Sequence, residues 1–164
     1  MTASAAIFCS SMGISIRPAE PTDVDQIVDF NCRLALESEG VQLDDQTVVA
    51  GVRGIIANPD RGRYWLAERD GTVCGQCMVT VEPSDWNAGS YWWLQSVYVD
   101  SSYRRSGVFR ALWHGVLEAA AAAGDVAAVR LYVDRENRDA RDAYQKMGMR
   151  KSSYIVYELP MGRS

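Results

Sequence analysis

A single histidine, His114, and four cysteines are all that 164 residues offer as soft metal ligands. Cys74-Gly75-Gln76-Cys77 is the one close pair, and no second Cys or His pair completes a tetrahedral site with it. The surrounding residues 72–81 read as a strand, where positions three apart point to opposite faces. A shared metal or a disulfide is therefore awkward there, and two reduced strand cysteines are expected. Basic excess is missing as well: the formal net charge is −4. The chain as a whole is not drawn to nucleic acid or to an acidic membrane, so any anion it binds must be held by a local basic site. No stretch approaches the roughly 18 apolar residues of a membrane span. Residues 1–12 have no positively charged opening, and their apolar run (residues 5–9) is too short for a signal peptide. The expectation is a cytoplasmic protein with a flexible tail over residues 1–12, Met12 being an alternative start. The Gly-rich run with Lys-Ser/Thr of a P-loop and the three glycines of a dinucleotide fold are both absent, so nucleotide hydrolysis and hydride transfer lose ground.

What is present suits one compact domain over residues 13–164. Hydrophobic residues make up 48% and charged residues 23%, enough to bury a core without a metal or disulfide staple. Residues 14–17 alternate apolar and polar before Pro18, a short first strand. Val24, Ile27, Val28, Leu34 and Leu36 recur at helical spacing up to about Ser38, with Gly40 as the stop. A second helix is expected over residues 45–57, ended by Asn58-Pro59. Residues 64–68 and 72–82 read as strands joined by an Asp70-Gly71 hairpin turn. A loop over residues 83–89 carries Trp86, and residues 90–100, rich in aromatic and β-branched side chains, form the next strand. Residues 108–123 read as a helix stopped by Gly124, residues 127–133 as a fifth strand, and residues 137–146 as a helix with Asn137 at its N-cap and Gly148 beyond its end. Residues 154–159 supply a last strand. The order β-α-α-β-β-β-α-β-α-β is an α/β fold: a mixed sheet with helices on both faces, its late β-α-β portion requiring parallel neighbours.

The connection Arg104-Arg105-Ser106-Gly107-Val108-Phe109-Arg110 stands between the strongest strand and a strong helix. A helix N-terminus presents unpaired N–H groups and the positive end of the macrodipole. Gly107 lets the backbone turn tightly and approach a ligand, and three arginines add donors in an otherwise acidic chain. Together they make an anion site suited to a diphosphate; the plain alternative is a helix start flanked by solvated arginines.

These residues resemble the GNAT superfamily of acyl-CoA-dependent N-acetyltransferases, whose phosphate loop reads Arg/Gln-x-x-Gly-x-Gly/Ala. Arg104 and Gly107 match; Phe109 stands where the family usually has Gly or Ala, so its ring must turn away from the phosphates. Gln95-Ser96-Val97-Tyr98-Val99-Asp100 is similar to the family's fourth strand. Residues 131–140 and Tyr144-Gln145-Lys146-Met147-Gly148-Met149 are similar to its next strand and helix, and the element order agrees from Ile14 onward.

The resemblance implies acetyl-CoA as co-substrate, bound between splayed fourth and fifth strands, with no metal. Val97, Tyr98 and Val99 then offer backbone to the pantetheine arm beside a bulge, and an N–H near Val97 faces the thioester oxygen. The loop from Arg104 through Arg105, Ser106, Gly107, Val108 and Phe109 to Arg110 holds the diphosphate. Asn137 matches a cofactor-contacting or strand-holding Asn and reads equally as a plain N-cap. Tyr144 matches a Tyr near the sulfur that protonates the departing thiolate; the alternative is a core tyrosine. Glu82 and Glu37 are the candidate bases, acting directly or through water, and Glu37 and Trp86 are the expected substrate contacts, although both carboxylates also read as surface groups. His114 is taken as structural or surface. The activity implied is transfer of acetyl to a primary amine, on a small molecule or a peptide, by direct attack in a ternary complex. A non-catalytic acyl-CoA sensor is the alternative, and a nucleotide or nucleic-acid module is a third reading. An exposed sheet edge makes a homodimer a reasonable expectation.

Overall fold

The computed structural model describes residues 13–161. Its elements are β1 (Ile14–Pro18), α1 (Val24–Glu39), α2 (Asp45–Ile56), β2 (Gly62–Arg69), β3 (Thr72–Ser84), β4 (Gly89–Val99), α3 (Val108–Ala123), β5 (Val126–Leu131) and α4 (Arg138–Lys146). Cys9, Met12 and the expected tail lie outside the described residues. The chain gathers into two compact units, one ending at Leu131 and one beginning at Tyr132.

In the first unit the five strands lie in sequence order, antiparallel from β1 to β4 and parallel between β4 and β5. Local chemistry explains the boundaries. Asp44 caps α2 by accepting from the Thr47 N–H at 2.8 Å. Gly40 closes α1 at φ 67. Asp70 and Gly71 both take positive φ, 51 and 75, the backbone that a two-residue hairpin turn needs to match strand twist.

Helices cover both faces, as the hydrophobic patterning predicts. On one face Val24, Ile27 and Val52 of α1 and α2 close over Tyr64 and Leu66 of β2. On the other, Leu112 and Val116 of α3 are fully buried. There α3 approaches so closely that a Cβ at Gly115 would meet Ile16 Cγ2 at 2.9 Å, and one at Gly75 would meet Val108 Cγ1 at 2.8 Å. The buried thiols Cys74 and Cys77 are free, in agreement with the strand reading of that pair.

The second unit holds α4, with Asn137 as its N-cap, accepting from the Ala140 N–H at 3.0 Å. The expected strand over residues 154–159 is not formed: those residues belong to no helix or strand, and Tyr154, Ile155, Val156, Tyr157 and Leu159 are exposed. Strand-like composition states only what fits a half-buried pleated surface, and without a hydrogen-bonded neighbour it makes no strand.

Candidate active site

The parallel pairing of β4 with β5 ends at Leu94↔Leu131, whereas β4 runs on to Val99. Among the described strands, Gln95–Val99 pair with β3 alone. Within this stretch β4 bulges: between the pairs Met78↔Gln95 and Gln76↔Tyr98, Ser96 and Val97 oppose Cys77 alone. Ser96 takes φ 48, a left-handed backbone inside a strand. A bulge of this kind re-aims backbone groups, here on the side that β5 leaves uncovered.

From Val99 the chain turns through a short 3-10 segment, Ser101–Tyr103, capped by Asp100, which accepts from the Ser102 N–H at 2.9 Å. That bond and Arg33, 3.0 Å away, hold the Asp100 carboxyl below its ordinary pKa. Arg105 and Gly107 then take φ 61 and φ 88. Gly107 is the N-cap of α3, and no side chain caps that helix. Its first turn closes with the Ala111 N–H on the Gly107 carbonyl at 3.0 Å, so the residues between present the helix's positive end. Arg105 and Arg110 are exposed beside it and Phe109 is half-buried. The loop thus joins a helix start without a side-chain cap to two exposed arginines; an anion site is built from such groups.

Two side chains hold the loop in place. Arg69, at the end of β2, donates to the Ser106 carbonyl at 3.0 Å and to its Oγ at 3.2 Å, across 37 positions of sequence. Arg104 donates to the Val99 carbonyl at 3.1 Å, lies 5.6 Å from the Tyr98 ring centroid and pairs with Glu37. The Tyr98 hydroxyl donates to the other Glu37 oxygen at 2.8 Å. Arg104, and after it Tyr98, keeps the Glu37 carboxyl below its ordinary pKa. Burial, then the bond to Glu37, raises that of Tyr98. Glu37 is thus engaged with the loop's first arginine, a placement the sequence reading on the acceptor side does not contain. The Tyr98 ring is turned toward α1, 5.1 Å from Phe30, which leaves its backbone to the open side of β4.

Within the first unit, Glu82 and Trp86 do not join this group. Glu82 pairs with Tyr91 in the β3–β4 ladder and is bonded by the Trp93 indole and by Arg130. The Arg130 guanidinium stacks 3.4 Å from the Tyr91 ring centroid. Six residues at about 3.3 Å each place Tyr91, and Glu82 with it, roughly 20 Å along β4 from Val97. Trp86, 90% exposed, lies in the turn between β3 and β4, at the end of the strand where β5 pairs. Strand length separates both from the arginine loop: the hairpin end and the loop end of β4 are opposite ends. His114 is exposed on α3. Burial pushes the Cys74 and Cys77 thiols above their ordinary pKa, which removes them as thiolate nucleophiles.

In the second unit Asn137 occupies the N-cap, and Tyr144 follows seven residues later, about two turns along α4. Burial raises the Tyr144 pKa, so its phenol stays protonated across the neutral range. Among the described residues no group of three His, Cys, Asp or Glu is placed to hold a metal, and no helix is long and apolar enough to cross a membrane.

Residues 28–149 match the model of the acetyltransferase (GNAT) family. A possible acetyltransferase from Clostridium difficile 630 is 36% identical in sequence, with a TM-score of 0.87 over 92% of this chain and 99% of that one. A predicted acetyltransferase from Clostridium acetobutylicum, solved with acetyl-CoA, is 16% identical, with a TM-score of 0.72 over 89% and 96% of the two chains. AAC(6')-Iy, solved with the bisubstrate analog CoA-S-monomethyl-acetylneamine, is 18% identical, with a TM-score of 0.73 over 91% and 99%. These last two likenesses are of fold. No curated protein matches the sequence.

Proposed function

This chain belongs to the acetyltransferase (GNAT) family, and on that premise we propose that it moves the acetyl group of acetyl-CoA to a primary amine by direct attack in a ternary complex. The observation that carries the reading is the continuity of one surface. The bulged end of β4, paired with β3 alone among the described strands, runs straight into a left-handed loop that opens a helix without a side-chain cap.

Each part of that surface has a task. The N–H groups of the first turn of α3, with Arg104, Arg105 and Arg110 around them, bind a diphosphate, an anion that an acidic chain must hold at a local basic site. Val97, Tyr98 and Val99 lend backbone donors and acceptors to a pantetheine amide chain laid along β4, in the manner of an added strand. Acetyl-CoA supplies an activated thioester. The N–H near Val97 faces its carbonyl oxygen and stabilises the negative charge that grows there as the amine attacks. As the C–N bond forms and the C–S bond breaks, the Tyr144 phenol gives its proton to the leaving thiolate; the new amide nitrogen sheds its surplus proton to solvent, and solvent reprotonates the phenolate. The neutral amine that attacks has first lost its own proton to solvent. No thiolate is available to form an acetyl-enzyme from Cys74 or Cys77, which supports direct attack.

The test pairs binding with turnover. Acetyl-CoA and free CoA are expected to raise the melting temperature saturably, and Gly107→Glu, which puts a carboxylate at the anion site, to abolish the rise. A panel of primary amines, aminoglycosides and peptides among them, is then screened by thiol release. A folded protein with no shift for either ligand would refute the transferase reading. Binding without thiol release from any amine would assign the acyl-CoA sensor instead.

A further inference from the structure

Ser96 is a serine held at φ 48 in the middle of a strand, a conformation that persists only where the surroundings over-determine it. Directly behind it, on the α1 side of the sheet, lies a buried polar group that the acetyl-transfer chemistry does not use. Gln76 is fully buried on β3 and pairs with Tyr98, the first β4 residue after the bulge. Its Nε2 donates to Asn31 Oδ1 of α1 at 2.7 Å and to the Ser96 carbonyl at 3.5 Å. Asn31 Nδ2 in turn donates to the Tyr64 hydroxyl of β2 at 3.2 Å. Tyr64 is itself in hydrogen-bonding reach of Ser96. The network thus ties α1, β2 and β3 to one carbonyl of β4.

Its incompleteness is informative. Gln76 Oε1 is buried and has no partner among the described residues. An orphaned acceptor is unfavourable, and a leucine of similar size would fill the same space without one. Packing alone does not account for an amide at this position; a donor aimed at the bulge does.

We propose that Gln76, braced by Asn31 and Tyr64, is a positioning residue that locks the β4 bulge at Ser96 and so directs the Val97 N–H into the cleft that β5 leaves open. The role in catalysis rests on the acetyl-transfer reading; the locking of the bulge does not. Only the donor matters to this role, so its loss acts on the reacting geometry, while the Arg69 and Arg104 bonds that hold the diphosphate loop do not involve Gln76. A displacement of about 1 Å at the reacting centre is enough for a 100-fold loss of rate.

The experiment uses the full chain with Gln76→Leu, which keeps the volume, and Tyr64→Phe, which removes one hydroxyl from the brace. Amide hydrogen exchange is measured without ligand, followed by kcat and KM for acetyl-CoA. Gln76→Leu is expected to speed exchange at Tyr98, which pairs with position 76 across the bulge, by about tenfold or more, with Thr80 and Val81 unchanged and the protein still folded. Its kcat falls by about 10- to 100-fold at nearly constant KM, and Tyr64→Phe gives the same pattern more weakly. Unchanged exchange at the bulge in both variants would overturn the proposal. So would a kcat loss matched by a uniform rise in exchange across the sheet, the signature of general loosening. If Gln76→Leu does not fold, Tyr64→Phe decides by the same two readouts. A wild type that neither binds nor turns over acetyl-CoA would sink the transferase reading, and the exchange data would still decide whether Gln76 locks the bulge.

Discussion

Replacing Gly107 by alanine perturbs the anion site with a single methyl group and no charge. Gly107 sits at φ 88, ψ 0, where an L side chain crowds its own backbone carbonyl. Left-handed backbone disfavours a non-glycine residue by about 1–2 kcal/mol. In a chain of this length 1 kcal/mol moves the melting temperature by about 2–4 °C, so the free protein should melt about 2–8 °C lower if the loop keeps its shape. The loop has a second route: it can swing Gly107 toward negative φ and lower the strain. That route breaks the approach of the backbone to the diphosphate, and the same 1–2 kcal/mol then appears as about a 5- to 30-fold weaker Kd. The Arg69 bonds to Ser106, at 3.0 and 3.2 Å, oppose the swing, so both effects are expected together. Thermal melts of wild type and Gly107→Ala, with and without acetyl-CoA, separate them. A variant with unchanged melting temperature and an unchanged ligand-induced rise would refute the left-handed cap and its part in binding.

Tyr144→Phe should lower kcat by about 100-fold or more with little change in KM, measured by thiol release, since only the proton donor is lost. Because burial raises the pKa of that phenol, its loss by titration should appear only above the ordinary tyrosine range, near pH 10, leaving kcat flat below it on the alkaline side. Glu37→Gln should raise the KM for acetyl-CoA by releasing Arg104, and wild type should reproduce this on acidification. The folded Glu37 pKa is depressed, so its pairing is complete above the ordinary glutamate range and fails only as pH drops below it. A KM that stays level as pH falls from neutral through and below the ordinary glutamate range in Glu37→Gln, against a rise confined to below that range in wild type, is the expected pair. Gly115→Val should destabilise the fold by about 1–3 kcal/mol in urea melts, because a Cβ there already meets Ile16 at 2.9 Å.

Local signals carried the sequence reading where one segment decides its own shape, and failed where two must meet. The Asp70-Gly71 turn, the Gly107 opening and Gly124 stop of α3, and the Asn137 cap are each a few residues whose side chains or φ angles decide the outcome alone, and each stands in the structure. The tight turn that opens α3 was legible for the same reason. Arg69, 37 positions from Ser106, was not, because nothing about an arginine before a turn says which loop the sheet will carry to it. Gln76 was hidden more thoroughly: it was seen only as a spacer between two cysteines, while its meaning lies in a register that sets it against Tyr98 and under Ser96.

The separation of Glu82 and Trp86 from the loop follows a physical rule that can be carried to other strands. They lie 22 and 18 residues before Arg104, one a candidate base at the end of β3 and the other a candidate substrate contact in the turn after it. Between them and the loop runs β4, eleven residues long and extended. Residues in an extended strand separate by about 3.3 Å each, so a strand carries its two ends as far apart as the chain can reach. A helix of the same number of residues would have covered less than half that distance. Glu37 shows the converse: 67 positions from Arg104, it pairs with it, because α1 packs over the strand that delivers the loop. The residues that serve the β4 opening are therefore those that the register and α1 bring to its loop end, and Gln76, Asn31, Tyr64, Arg69 and Glu37 all meet that condition, whereas Glu82 and Trp86 do not.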